Sequence, residues 1–184
     1  MAGEWVMKER ELERCIARLA HEISERSGDP SGYVLVGVVT GGERLAERLA
    51  DAIARIDGRR PRTGSVDITL YRDDLYTGLE KPVLGETRLP FELSDTLVVL
   101  VDDVLFTGRT VRAALDEIMD FGRPRAIQLA VLVDRGHREL PIAPDFVGRS
   151  VQTRKSDRVQ VHLRSAEADV EREGIEIQRR PEQP

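Results

Sequence analysis

The segment from Val98 to Thr110 changes chemistry abruptly along its length. Val98, Val99, Leu100 and Val101 are apolar and suited to a buried strand; Asp102 and Asp103 follow at once. A short run, Val104, Leu105 and Phe106, then leads into Thr107-Gly108-Arg109-Thr110, which reads as a turn opening a helix. The first amides of a helix lack intrahelical acceptors, and the positive end of its dipole attracts anions, so such a turn can receive a phosphate dianion. Gly108 lets the backbone approach the ligand, Thr107 and Thr110 add hydroxyl donors, and Arg109 supplies a cation or points to solvent. Two ionised carboxylates beside the turn would accept hydrogen bonds from vicinal hydroxyls. Together these features fit a phosphorylated pentose, with Asp102 and Asp103 on the diol. Taken singly, each piece is commonplace: an acidic pair at a strand end, and a threonine capping a helix.

An apolar frame must carry that segment. Leu12, Cys15, Ile16, Leu19, Ala20 and Ile23 follow the three-and-four spacing of an amphipathic helix that ends near Ser27-Gly28. Tyr33 to Val39 predicts a buried strand, Thr40-Gly41-Gly42 a loop, and Leu45, Leu49, Ile53 and Ile56 a second helix. Val66, Ile68 and Leu70 alternate with polar residues and predict a further strand. The hydrophilic stretch from Arg72 to about Glu92 is long enough to expect a lid or binding loop. Leu97 to Val101 and Ala126 to Val133 predict buried strands around a helix on Val111, Leu115 and Ile118 that Gly122 stops. Weaker strands are expected at Phe146 to Val147 and Val159 to Leu163, and 165–184 reads as a loosely held acidic tail.

This alternation predicts one α/β domain over 1–184, an open, mostly parallel sheet flanked by helices. Ligands in such sheets lie beyond the carboxyl ends of the strands at a switch point, which singles out the loops after Val39, Val101 and Val133.

Composition narrows the classes. A net charge of −5 opposes indiscriminate nucleic-acid binding, although Asp134 to Arg164 holds seven Arg or Lys against four acids and is locally basic. The single cysteine, Cys15, can form neither an internal disulfide nor a multi-thiolate site, and no apolar run approaches a membrane span or signal peptide. A cytoplasmic protein is the expectation.

The Val98–Thr110 segment resembles the phosphoribosyl-pyrophosphate signature of the type I phosphoribosyltransferases. Two further strings narrow the resemblance: Asp67-Ile68-Thr69-Leu70-Tyr71-Arg72-Asp73-Asp74-Leu75 and Val133-Asp134-Arg135-Gly136-His137-Arg138-Glu139-Leu140-Pro141. With them the chain, from about Arg14 to Leu163, resembles the bifunctional family of pyrimidine-operon attenuation regulators that are also uracil phosphoribosyltransferases.

The resemblance implies a small hood on the sheet, a flexible loop over 72–92, and conversion of uracil and phosphoribosyl pyrophosphate to UMP and pyrophosphate. It implies Mg2+, held mainly through substrate and water, with no direct protein metal site. Asp102 and Asp103 are implied as the catalytic pair. Thr40, Gly41, Gly42, Arg72 and Val104 to Thr110 are implied as the phosphoribosyl pyrophosphate and UMP contacts, although the family pattern often carries arginine where Gly41 stands. Arg135 and Val159 are the implied neighbours of the base; a solvated loop residue and ordinary strand packing are the competing readings.

For RNA, the resemblance implies a leader-mRNA stem-loop whose binding is strengthened by UMP or UTP, met by Arg18, His21, Arg26, His137, Arg138 and Lys155 of a homodimer or tetramer. On the residues alone, the arginines of the first helix are equally a solvated face. Loss of Arg138 and Lys155 together is expected to weaken RNA binding while UMP synthesis survives. Two alternatives stay open: a sensor of UMP or UTP with vestigial transferase activity, and a transferase for another base without an RNA role.

Overall fold

The computed structural model describes residues 3–39, 41–68, 86–164 and 171–179. Thr40, the 69–75 part of the second string, and Arg72 within it lie outside the described residues.

Eleven described elements follow in chain order: β1 (Glu4–Lys8), α1 (Glu9–Ser27), β2 (Tyr33–Val38), α2 (Gly41–Asp57), β3 (Arg62–Val66), β4 (Leu97–Leu105), α3 (Arg109–Phe121), β5 (Ala126–Asp134), β6 (Phe146–Ser150), β7 (Arg158–His162) and β8 (Gly174–Gln178). Five of the strands form a parallel sheet in the order β3-β2-β4-β5-β6. The remaining three form an antiparallel sheet, β1-β8-β7.

The parallel sheet is covered on both faces, which is why its central strands are apolar without alternation. Leu35, Val99, Val101 and Leu132 pack beneath α1 and α2, against Leu12, Leu19, Ile23, Leu45, Leu49 and Ile53. Their neighbours Val34, Val36, Val98, Leu100 and Val131 face the other way, onto Val111, Ala114 and Ile118 of α3. Each such fully buried Leu, Val or Ile contributes roughly 1.5–3 kcal/mol of transfer free energy, so neither face tolerates a shift in register by one residue.

β2 neighbours both β3 and β4, so successive connections leave β2 in opposite directions. The switch point lies between the carboxyl ends of β2 and β4, where the loops beginning at Val39 and Phe106 emerge.

Several expectations need correction. β3 runs over Arg62–Val66 instead of centring on Ile68, because its pairing with β2 spans Val34↔Arg62 to Val38↔Val66. β1 was not foreseen, and the tail is not loosely held over 171–179, where β8 is the middle strand of the small sheet with Ile175 and Ile177 buried. Residues 86–92 of the expected flexible loop are tied down. Arg88 bridges Ser65 at the edge of β3, Thr87 Oγ1 accepts from the Asp67 amide at 3.1 Å and donates to Glu117 at 2.7 Å, and Leu89 and Phe91 pack on the core.

Candidate functional site

β4 carries the acidic pair. The strand continues through Leu105 because its pairing with β5 persists at Asp102↔Val131, Val104↔Val133 and Leu105↔Asp134. The aspartates therefore sit within the end of a strand rather than in an exposed loop, and Asp102 is buried. Asp102 Oδ1 accepts from the Asp103 amide at 2.9 Å. Burial, then the Asp103 charge, pushes the Asp102 carboxyl well above the ordinary carboxylate range. Burial also raises Asp103, against the opposing pull of the Val104 amide, the bond with Asp102 and the Arg44 guanidinium. No salt bridge neutralises either carboxylate among the described residues. Burial and mutual proximity thus disfavour full ionisation of the pair, a penalty that a hydroxyl-rich ligand or a hard cation relieves.

The loop after β4 is braced from behind. Leu105 O accepts from the Arg135 amide at 3.1 Å, and Thr107 O accepts from the amides of Glu139 and Leu140 at 2.9 and 3.2 Å. Between them, Phe106 O accepts from Arg138 Nη1 at 2.8 Å. A trans peptide is planar and its N–H points opposite to its C=O. Holding the carbonyls of 105, 106 and 107 toward the segment 135–140 therefore aims the amides of Phe106, Thr107 and Gly108 the other way. Among the described residues those three amides have no acceptor within the chain. Gly108 completes the turn at φ 93°, immediately before α3 begins at Arg109. A row of unpaired N–H groups running into a helix N-terminus is an anion receptacle.

The loop after β2 is built by a different device. Cβ atoms added to Gly37, Gly41 and Gly42 would run into the Gly42–Glu43 backbone, the Asp103 carboxylate and the Val101 carbonyl, respectively. α2 therefore starts in direct contact with the end of β4, and Gly41 stands against Asp103. A side chain where the resembled pattern often has arginine would displace the Asp103 carboxylate; Arg44, one turn on, is the α2 cation whose charge reaches Asp103.

A phosphoribosyl transferase domain model matches residues 6–166. The chain belongs to the phosphoribosyl transferase family. Within that family it is similar to proteins named "Bifunctional protein PyrR". It is 54% identical over 158 residues to one from Thermoanaerobacter sp. (strain X514), covering 86% of this chain and 89% of the relative. It is 56% identical over 162 residues to one from Chloroflexus aurantiacus, with 88% and 89% covered. The Deinococcus radiodurans relative is 51% identical over 162 residues, with 88% of each chain covered. Among solved structures, a Trypanosoma cruzi hypoxanthine phosphoribosyltransferase aligns with a TM-score of 0.74 at 20% identity, covering 97% of this chain and 96% of that one. That likeness concerns the fold.

Against this family framework the remaining candidates separate. Arg135 is buried, with its guanidinium 4.0 Å from the Phe106 ring centroid, and it donates to Thr153 Oγ1 at 3.2 Å and Arg154 O at 2.7 Å. It joins the loop after β4 to the turn that precedes β7, a role neither foreseen reading described. Val159 pairs with Ile177 and packs on the core, the ordinary strand role. A Cβ on Gly108 would face Ile142 and Leu140, so a side chain there strains the turn from its outer side rather than filling the cradle.

The six expected RNA contacts do not form one kind of surface. Arg18 pairs with Glu22 and donates to the carbonyls of Val147 and Gly148, while Arg26 donates to Asp145 O at 3.0 Å; both fasten α1 to β6. His21 and Lys155 are exposed, with Lys155 3.7 Å from Glu139. His137 Nε2 lies 2.6 Å from Thr153 O. Arg138 turns inward: it donates to Ile142 O at 3.1 Å and Gly136 O at 3.2 Å as well as Phe106 O, and pairs with Asp134 at 2.6 Å. Arg138 is thus a brace of the loop after β4, a role that the expected survival of UMP synthesis without Arg138 and Lys155 did not include. Asp134 and Arg44 were missed as site residues. Asp134 stood four positions before Arg138 in the quoted string, a pairing distance readable only after the inward turn is known.

Proposed function

We propose that this protein joins uracil to the ribose 5-phosphate of phosphoribosyl pyrophosphate, and that the resulting uridine nucleotide governs its binding to a leader RNA in pyrimidine-operon attenuation. The observation that carries this reading is the row of unpaired amides at 106–108 beside an unneutralised aspartate pair. Similarity of 51–56% to bifunctional PyrR proteins supports the choice of uracil and the regulatory half.

In the reaction, uracil N1 forms a bond to the anomeric carbon as the carbon–oxygen bond to pyrophosphate breaks, with inversion, and the N1 proton is released. The amides of 106–108, with Thr107 and Thr110, hold the 5-phosphate, and Asp102 and Asp103 hold the diol. Their charge also favours the cationic ribose of the transition state. The glycine-built start of α2 faces the leaving group; the resemblance adds Thr40 and Arg72, both outside the described residues, as further ligand contacts.

Two carboxylates at one strand end suit a hard cation, while no cluster of three or more potential ligands occurs among the described residues. Asp102 and Asp103 would be the protein neighbours of a substrate-borne Mg2+, which would supply charge neutralisation for the leaving group. Among the described residues no helix is long and apolar enough to cross a membrane; the resemblance, independently of this, adds the cytoplasm and a homodimer or tetramer.

A sensor-only reading rests on Gly41, which leaves the leaving-group loop without an arginine of its own. Formation of labelled UMP from labelled uracil separates the two, since a sensor binds UMP without producing it. A gel shift of leader RNA with and without UMP tests the regulatory half; equal shifts would remove nucleotide control.

A further inference from the structure

The three outward carbonyls of the phosphate loop are not held alike. Leu105 O and Thr107 O are held by backbone amides, which side-chain changes other than to proline leave in place. Phe106 O is held by a side chain, Arg138. Because the Phe106 carbonyl and the Thr107 amide share one planar peptide group, the orientation of that N–H depends on this guanidinium.

We propose that Arg138, locked by Asp134, is a positioning residue for ribose-5-phosphate recognition. This rests on the reading of 106–108 as the 5-phosphate cradle. Three properties support it. The guanidinium is spent on protein: Asp134 at 2.6 Å and the carbonyls of Phe106, Gly136 and Ile142 at 2.8, 3.2 and 3.1 Å. The planar fork of donors reaches carbonyls on both sides of the loop at once, which a lysine ammonium on a flexible stem does not reproduce. Finally, the Phe106 ring is held beneath Arg135 at 4.0 Å and edge-on to His137 at 5.9 Å, which fixes the side chain and leaves the carbonyl to Arg138. Arg138 thus acts on the phosphate through the peptide it orients.

The test compares UMP with uridine, which lacks the phosphate, by calorimetry on the full-length protein, together with KM for phosphoribosyl pyrophosphate, KM for uracil, kcat and a thermal melt. In Arg138→Met the ratio of UMP to uridine affinity is expected to fall about tenfold or more, the scale of one charge-assisted hydrogen bond. KM for phosphoribosyl pyrophosphate rises in step while uridine binding and KM for uracil hold. Arg138→Lys shows a smaller fall in the same ratio. A lower melting temperature with an unchanged ratio assigns Arg138 a purely structural role and overturns the proposal. Should Arg138→Met fail to fold, Arg138→Lys decides, and an unchanged ratio there overturns it equally. Wild-type protein with no preference for UMP over uridine would overturn the cradle reading itself, and this proposal with it.

Discussion

The two loops that meet at the switch point reach the same end by opposite means. After β4, backbone groups and the Arg138 side chain pin three carbonyls outward and leave three amides free. After β2, side chains are simply missing, and Gly41 and Gly42 let a helix start against Asp103 and Val101. A hydrogen-bonded brace can be weakened by degrees, since each bond is worth only about 0.5–1.5 kcal/mol net. A glycine contact cannot, because the first added carbon already meets backbone or the carboxylate. The first loop can therefore be tuned by mutation, and the second should behave as all or nothing.

Asp103→Asn breaks the comparison most severely, since the carboxylate lies between the loops. UMP formation is expected to fall about 100- to 1000-fold, the scale of removing a preorganised electrostatic group, with circular dichroism unchanged. Retention of more than a tenth of the rate would remove Asp103 from catalysis.

Gly42→Ala comes next. The new Cβ meets the Val101 carbonyl, so α2 must move, and a displacement of about 1 Å at a reacting centre costs on the order of 100-fold. Steady-state kinetics showing a loss confined to a few fold would mean that α2 is not rigidly seated.

Gly108→Val probes the braced side and should be milder. A β-branched residue at φ 93° costs about 1–2 kcal/mol, and it presses on Ile142 and Leu140 rather than on the ligand. UMP affinity by calorimetry is expected to drop about tenfold; a drop as large as the loss in Gly42→Ala would erase the distinction between the loops.

The same contrast governs what the sequence disclosed. The β4-to-α3 unit was legible because an apolar run, two acids and a glycine turn are local signals that follow one another in the chain. The pattern misplaced the aspartates by one step, since where a strand stops depends on how long its neighbour β5 keeps pairing. β1 and β8 were illegible for a similar reason: each has five residues of mixed polarity, and they pair Glu4 with Ile177 across nearly the whole chain. Arg138 shows the third kind of limit. An arginine in a basic stretch reads as a contact for an anion, and only three-dimensional packing reveals that its donors are aimed at carbonyls inside the protein.

Asp102→Asn gives the smallest expected change in binding geometry and the sharpest test of the charge argument. Burial and the adjacent Asp103 raise the folded-state pKa of Asp102 above its unfolded value. The folded chain thus binds this proton more tightly than the unfolded one, so stability from the group is fully present below the ordinary carboxylate range. It is lost as pH rises through the elevated pKa. Above the ordinary carboxylate range the unfolded chain releases this proton more readily than the folded one, so part of that stability is gone at neutral pH. Asparagine keeps the oxygen that accepts the Asp103 amide bond and carries no charge to bury. Melting temperature at pH 7 should therefore rise by a few degrees, and the difference from wild type should shrink as pH is lowered toward 4, while transferase activity falls. A variant that melts lower than wild type at pH 7 would mean that the charged form of Asp102 is stabilised in the folded state, against the burial seen here.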